Sequence, residues 1–275
     1  MADTRYIFIT GAASGIGRAT AERFAAEGWQ VGAADLNAAG LADLKQQLGG
    51  NQCATFELDV TNFEMWEGVI EDFSEWSGGQ LDLLFNNAGI GILGNVGDVP
   101  LQRQIDTINV NFTGVLFGIE AALPMLKATP NSLCFSTSSS AAIYGAPGLA
   151  VYAATKFAVK GLTEALSVEL AAHDSRAADV LPGLIDTPIL RAPQYDANGK
   201  DISTGERNVG PADVDEGPFR LIPPSEIANA VWQAYTSTKI HWYVPAELED
   251  VDKAKSQDVE AFRDMRLQDP ITTHD

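Results

Sequence analysis

Residues 6–17 read Tyr6-Ile-Phe-Ile-Thr10-Gly11-Ala-Ala-Ser14-Gly15-Ile16-Gly17, and the character of the chain changes twice across them. Tyr6–Ile9 is an apolar run of strand length. Glycines follow at 11, 15 and 17, and from Arg18 to Glu27 the apolar spacing becomes helical. Strand, glycine-rich turn and helix in that order make the opening of a dinucleotide-binding βαβ unit. Gly11 and Gly15 permit a tight turn and a close backbone approach, while the helix N-terminus offers unpaired N–H groups to a pyrophosphate. A plain strand-to-helix turn uses the same residues, so the reading needs support from further along the chain.

That support begins at Gln30–Asp35, a second strand ending in a carboxylate about 20 residues past the glycines. Asp35 there accepts hydrogen bonds from the ribose hydroxyls of an adenosine and repels a 2′-phosphate. Neither Ser14 nor Leu36 supplies a cation for such a phosphate, so the pattern favours NAD(H) over NADP(H); Arg18 is the one nearby residue against it. Strand and helix patterns then alternate. Asn37–Leu48 reads as a helix, Cys53–Leu58 as a strand closed by Asp59-Val60, and Asn62–Trp76 as a helix that Asp59 could equally cap. Leu81–Phe85 is a fourth strand running into Asn86-Asn87-Ala88-Gly89, and Pro100–Leu126 is a long helical pattern interrupted by Pro124. Ser132–Ser136 and Ala177–Leu181 are the fifth and sixth strands, Val151–His173 the helix between them. Ser225–Tyr235 and Ile240–Val244 supply a last helix and strand. This alternation predicts an α/β fold, a doubly wound, mostly parallel seven-stranded sheet flanked by helices, as one domain over residues 1–275.

Between the fifth strand and its following helix lie the residues with chemistry to offer. Tyr152 and Lys156 are four apart, one helical turn, and an ammonium so placed is expected to pull the phenol below its ordinary pKa of about 10. A tyrosine tuned in that way exchanges protons near neutral pH. Ser139, thirteen residues upstream, sits where the strand ends, with Ser138 as its alternative in the run Ser136–Ser140. Tyr235 and Lys239 repeat the four-residue spacing, but Ile222 stands thirteen residues before Tyr235, and that pair reads as a helix-end tyrosine beside a solvated lysine.

Ser139 followed by Tyr152-x-x-x-Lys156, with Thr10-Gly-x-x-x-Gly-x-Gly17, Asn86-Asn-Ala-Gly89 and Pro182-Gly-x-x-x-Thr187, resembles the classical branch of the short-chain dehydrogenase/reductase family. The resemblance implies a Rossmann fold and an NAD(H)-dependent interconversion of a secondary alcohol and a ketone. It implies a catalytic tetrad of Asn111, Ser139, Tyr152 and Lys156, with Asn109 the alternative to Asn111 in the segment Val110–Gly114. For the cofactor it implies Gly11, Ser14, Gly15, Ile16 and Gly17 at the pyrophosphate and Asp35 and Leu36 at the ribose. Asp59 and Val60 would meet the adenine, and Asn87, Ala88 and Gly89 would line the groove. Pro182, Gly183, Ile185 and Thr187 would seat the nicotinamide, whose ribose Lys156 would hold beside Tyr152. Leu93, Tyr144 and Leu190 are expected to shape an apolar substrate pocket with Ser139 and Tyr152, which favours a hydrophobic or cyclic alcohol. The segment 190–224, rich in Gly, Pro, Asp and Asn, is expected to cover it as a loop. The small-residue helix Val151–His173 implies pairing with its twin in a homotetramer or homodimer.

Composition bounds the rest. The 275 residues carry 18 Lys and Arg against 37 Asp and Glu, a net charge of −19, which argues against nucleic acid and anionic membranes as partners. Cys53 and Cys134 lack disulfide or zinc spacing, and His173, His241 and His274 are scattered, so no metal site is expected. The first strand begins near residue 5 and no apolar run reaches the roughly 18 residues of a membrane span, which points to a cytoplasmic protein. Residues 246–275 form a charged C-terminal extension expected to pack as a helix or hang as a tail.

Overall fold

The computed structural model describes residues 4–207 and 216–267; residues 208–215 of the expected covering loop and 268–275 of the extension lie outside the described part. The sheet forms around β1 (Tyr6–Thr10), whose side chains alternate between two cores, as successive strand residues must. Ile7 and Ile9 enter one core with Phe24, Val31 and Leu44, and Phe8 enters the other with Trp66, Phe73 and Leu84. Burial on both faces explains why the strand lacks any polar alternation.

α1 (Gly15–Ala26) and β2 (Gln30–Asp35) follow, then α2 (Ala38–Leu48), β3 (Cys53–Glu57), α3 (Phe63–Ser77) and β4 (Leu83–Asn86). Asn37 and Asn62 cap α2 and α3, accepting from the N–H groups of Gly40 and Met65 at 3.1 Å each, so capping α3 falls to Asn62 rather than Asp59. α1 by contrast has no side-chain cap at Ser14, which leaves its first N–H groups directed at the cleft. α4 (Leu101–Ile108) and α5 (Gly114–Ala128) are joined by a π-helical turn, Asn109–Thr113; the interruption expected at Pro124 is absent, and that proline lies inside α5. β5 (Ser132–Thr137), α6 (Ala150–Glu169) and β6 (Ser175–Pro182) continue the alternation.

Every pairing in the sheet is parallel, and its order is β3-β2-β1-β4-β5-β6 with the last strand, β9 (His241–Val244), at the edge. Chain direction through the sheet reverses between β1 and β4, and the crevice outside the carboxyl ends at that switch point is where such sheets bind ligands. The seven-stranded doubly wound fold is the one the sequence predicts.

Two segments differ from expectation, and the C-terminal extension takes one of its two expected forms. The stretch 190–224 is not bare loop: a short helical turn spans Pro188–Arg191, β8 (Leu221–Ile222) pairs with β7 (Leu184–Ile185), and single bridges join Leu93 to Gln194 and Tyr195 to Asp201. After α7 (Pro224–Ala234) and β9, the extension folds as α8 (Leu248–Gln257) and α9 (Val259–Leu267). Leu101–Ala128 is long and apolar enough by length and composition to cross a membrane, contrary to the sequence estimate. In the fold its Val115, Ile119, Ala122 and Leu126 are buried in the core beside Trp66 and Leu84.

Candidate active site

The glycine turn is held against the ends of three strands. Gly11 has φ +66°, a conformation only glycine adopts without strain. A side chain at Gly17 would begin 2.2 Å from the Gly11 carbonyl oxygen, so only hydrogen fits there. Asn87 Nδ2 donates to the carbonyl of Thr10 at 3.0 Å, and Asn87 Oδ1 accepts from the Thr137 hydroxyl at 3.2 Å. The N–H groups of Asn87 and Ala88 both donate to Thr10 Oγ1 at 3.0 Å. β1, β4 and β5 are thereby locked at the mouth of the crevice, and Gly15 lies against Thr187, 3.0 Å from its methyl to where a Cβ would stand. Thr187 is buried and donates to the Ile185 carbonyl at 3.3 Å, while Gly183, just past Pro182, donates its N–H to Val244 at 2.7 Å.

Asp35 closes one end of the crevice. Its two oxygens accept from the N–H groups of Ala13 at 3.0 Å and Asn37 at 2.9 Å, fixing the carboxylate at the end of β2. Leu36 beside it and Ser14 opposite are exposed. Asp59 accepts from the N–H and hydroxyl of Thr61 at 2.9 and 2.7 Å, and buried Val60 accepts from the Trp66 indole at 3.1 Å. Arg18, the cation that complicated the sequence reading, is committed elsewhere: it donates to Glu22 at 3.1 Å and to Asp43 and Gln47 at 2.6 Å each.

At the other end of the crevice the four tetrad candidates converge. The Lys156 ammonium donates to the Thr137 carbonyl at 2.9 Å and lies 5.6 Å from the centre of the Tyr152 ring. Ser139, two residues past β5, is extended, accepts from the Ala141 N–H at 3.1 Å and acts on the Tyr152 phenol, pulling its pKa down. Ser138 is separated from it by role: its buried hydroxyl donates to the Lys156 carbonyl at 2.9 Å and pins α6 to the strand. Asn111 is fully buried and clasps Ile90 in both directions, accepting its N–H at 2.8 Å and donating to its carbonyl at 2.9 Å. Asn109 takes no part in that clasp; it opens the π-turn. Gly89 sits between them, the position of its absent Cβ being 3.3 Å from Asn111 Oδ1 and 3.6 Å from Lys156 Nζ.

The electrostatics differ from the sequence expectation in one respect. Burial pushes the Tyr152 phenol up, the hydrogen bond with Ser139 pulls the other way, and the net direction is upward. Lys156 is stripped of water as well, and burial pushes its ammonium down to about 8. Desolvation therefore sets the direction, and the opposing pull on the tyrosine comes from Ser139 rather than from the lysine.

Of the expected pocket residues, Leu93 donates its N–H to Pro193 at 2.9 Å, and Leu190 is buried in the turn before it. Tyr144 occupies another edge, its ring 6.1 Å from Phe219 and 5.5 Å from Phe262 of α9. Sequence reasoning missed Thr10 and Thr137, which carry the hydrogen bonds binding the crevice together. Thr10 had a signal, standing at the strand end directly before the first glycine. Thr137 had none, because it acts on Lys156 through its backbone.

Residues 5–197 match the short chain dehydrogenase family, and the chain belongs to that family. Among its relatives is the trans-4-hydroxycyclohexanecarboxylate dehydrogenase of Sinomonas cyclohexanicum, 36% identical over 189 residues that span 66% of this chain and 72% of that protein. The crystal structure of the 3-ketoacyl-(acyl-carrier-protein) reductase of Brucella melitensis complexed with NADH superposes with a TM-score of 0.74 at 26% identity, covering 87% of this chain and 96% of that one. An alcohol dehydrogenase of the archaeon Thermococcus sibiricus complexed with 5-hydroxy-NADP shares the fold at TM-score 0.72 and 24% identity, covering 88% and 96% of the two chains.

Proposed function

We propose that the protein is an NAD(H)-dependent dehydrogenase or reductase that interconverts a secondary alcohol and a ketone. The observation that carries this reading is the Lys156 ammonium, anchored on the Thr137 carbonyl and set 5.6 Å from the centre of the Tyr152 ring, with Ser139 close enough to pull the phenol's pKa down. The glycine turn fits a nicotinamide dinucleotide. Uncapped N–H groups at the start of α1 meet a pyrophosphate, Asp35 meets a ribose, and the Pro182–Thr187 segment meets the carboxamide. When bound, the oxidised nicotinamide supplies the hydride acceptor and brings a positive charge to this end of the crevice.

Tyr152 then takes the hydroxyl proton in oxidation and returns it in reduction. Ser139 donates a hydrogen bond to the substrate oxygen and orients it. Lys156 spends one of its three N–H bonds on Thr137 and holds the others toward the nicotinamide ribose and the tyrosine. Asn111, with both side-chain groups committed to Ile90, acts through the π-turn it occupies, whose opened backbone ladder gives a carbonyl to a relay water. The positive charge lowers the phenol that burial alone raises, so loading the site and activating the base are one event.

NAD(H) is favoured over NADP(H) because Asp35 is fixed by two N–H groups and Arg18 is already paired with Glu22 and Asp43. NADH is expected to bind at least about tenfold more tightly than NADPH in a direct fluorescence titration; the reverse order would overturn the assignment. The stretch 190–224 is read as the substrate's cover. Leu101, Ile105 and Ile108 on α4 are exposed on one helical face, as are Phe157 and Val168 on neighbouring α6, and they support a homodimer or homotetramer built on these helices.

The reaction class is tested by nicotinamide absorbance with NAD⁺ over a panel of secondary alcohols. Tyr152→Phe is expected to lose at least about 10²-fold in turnover, the contribution of a general acid/base. Turnover near that of the wild type in this variant would defeat the mechanism.

A further inference from the structure

The segments that leave β4 and β6 meet across the end of β5, the strand that lies between them in the sheet and leads to Ser139. Gly89, on the first segment, sits beside the Lys156 ammonium, and Thr187, on the second, sits against Gly15. Two residues further along each, the segments touch. A Cβ built at Gly91 would stand 2.9 Å from the Ala192 methyl, 3.2 Å from Ile189 Cγ1 and 3.4 Å from the Ile189 carbonyl oxygen. Backbone pairing continues the contact outward, Leu93 donating its N–H to Pro193 and accepting from Tyr195, both at 2.9 Å. On its other side the first segment is tied to the turn before Tyr152, Gly94 donating to the Gly148 carbonyl at 2.9 Å.

Gly91 is not among the glycines with positive φ, so an alanine could adopt its backbone conformation and what glycine supplies there is space. The Ala192 methyl moves only with its backbone, and carbon atoms in ordinary contact stand about 3.5–4.0 Å apart. A side chain at Gly91 would therefore lift the second segment by roughly 0.5–1 Å rather than turn a neighbour aside. Leu190, buried in the turn Pro188–Arg191, rides on the part that would move. We propose that Gly91 is a specificity-determining residue. By carrying no side chain it lets the two segments close over the end of β5, and this sets an upper size for the alcohol, a compact ring rather than a bulky one. The inference rests on the dehydrogenase reading and deepens it.

The test compares oxidation of cyclohexanol and cyclooctanol by the full chain, with NAD⁺ and in parallel with NADP⁺. The wild type is expected to favour the smaller ring. Gly91→Ala is expected to move the ratio of the two kcat/KM values toward the larger ring by at least about tenfold, the low end of what one methylene is worth in a pocket, chiefly through KM. Gly91→Ala/Ala192→Gly, which withdraws the opposing methyl, should return the ratio most of the way. An unmoved ratio in the single variant, or one left shifted in the double, would overturn the proposal. Should Gly91→Ala fail to fold, Ile189→Ala takes a side chain out of the same contact and is expected to move the ratio in the same direction; no movement there sinks the idea equally. Hydrogen exchange without nucleotide or turnover reads the contact itself. In Gly91→Ala the Leu93 and Tyr195 amides, bonded across the two segments, are expected to exchange at least about tenfold faster, while Gly94, bonded to the other side, keeps its rate. Acceleration of all three alike, or of none, overturns the assignment. A wild type that oxidises neither ring refutes the compact-ring substrate; if Leu93 and Tyr195 still respond, the failure lies in the dehydrogenase reading and not in the Gly91 contact.

Discussion

Lys156 is a buried cation held by a neutral carbonyl, that of Thr137, and that arrangement makes it a proton-sensitive ligand. Burial brings its pKa down to about 8, so the ammonium that would grip a ribose is lost on the alkaline side of neutrality. NADH affinity is therefore expected to weaken as pH rises through about 8, because the protonated form donates and the neutral form donates less. Lys156→Met should bind more weakly throughout and show no such step. A fluorescence titration from pH 6.5 to 9.5 checks it, and a flat wild-type profile would remove Lys156 from the ribose site. At this scale the sequence was most readable where chemistry follows from short spacing, as with Tyr152 and Lys156. It was least readable where identical side chains differ only in direction. Ser138 and Ser139 are adjacent hydroxyls, and strand alternation sends one to the Lys156 carbonyl and the other to the tyrosine. The direction of the Tyr152 shift was also hidden, since burial is a property of the fold and not of the spacing.

Elements follow their local signals closely where a cap or glycine ends them, and poorly where tertiary contacts decide. Asn37 and Asn62 mark the starts of α2 and α3, and Gly78 ends α3 in the left-handed conformation. The π-turn at Asn109–Thr113 has only a weaker mark, a mid-helix asparagine that can disturb the ladder, and in the fold Asn111 spends its side chain on the backbone of Ile90. α8 and α9 were equally obscure, because a charged segment forms a helix only if something receives its apolar residues, here Leu248 beside Leu181 and Phe262 beside Tyr144. Packing also sets opposite signs for two glycine substitutions. At Gly118 in α5 an added Cβ would stand 2.5 Å from Asn86 Oδ1 and 2.8 Å from the Trp66 ring, both buried. Gly118→Ala is expected to destabilise by about 1–3 kcal/mol as an overpacked core does. At Gly68 in α3 nothing lies within 4 Å, and Gly68→Ala should stabilise by about 0.5–1 kcal/mol through the unfolded chain. Chemical denaturation of both variants tests the contrast, and a shared sign would refute it.

For the molecule as a whole, the consequence of interest lies at the open edge of the sheet. β9 is the edge strand, and a charged cluster ties it to β6, α6 and α8. His241 bonds Asp179 through Nδ1 at 2.8 Å and Glu164 through Nε2 at 3.2 Å, while Asp252 joins Lys160 and Tyr243 at 2.6 Å each. Asp179 is wholly buried, and burial raises its pKa, with the His241 hydrogen bond and charge opposing. For His241, burial acts downward, but the bond and charge of Asp179, reinforced by Glu164 and opposed by Lys160, carry the net shift upward. Both groups hold their protons more firmly folded than unfolded, so both contribute stability at low pH that is lost as pH rises. For Asp179 the loss begins above its ordinary value of about 4, and for His241 above about 6.5. Ordinary carboxylates are already ionised between pH 6 and 8, so the net charge of −19 cannot produce a change in that window. The wild-type urea midpoint is therefore expected to be higher at pH 6 than at pH 8, and His241→Gln, which keeps a donor for Asp179 but has no proton to lose, should shrink the difference. If the variant retains the full pH dependence, the proton resides elsewhere and this cluster is not what couples the sheet edge to the C-terminal helices.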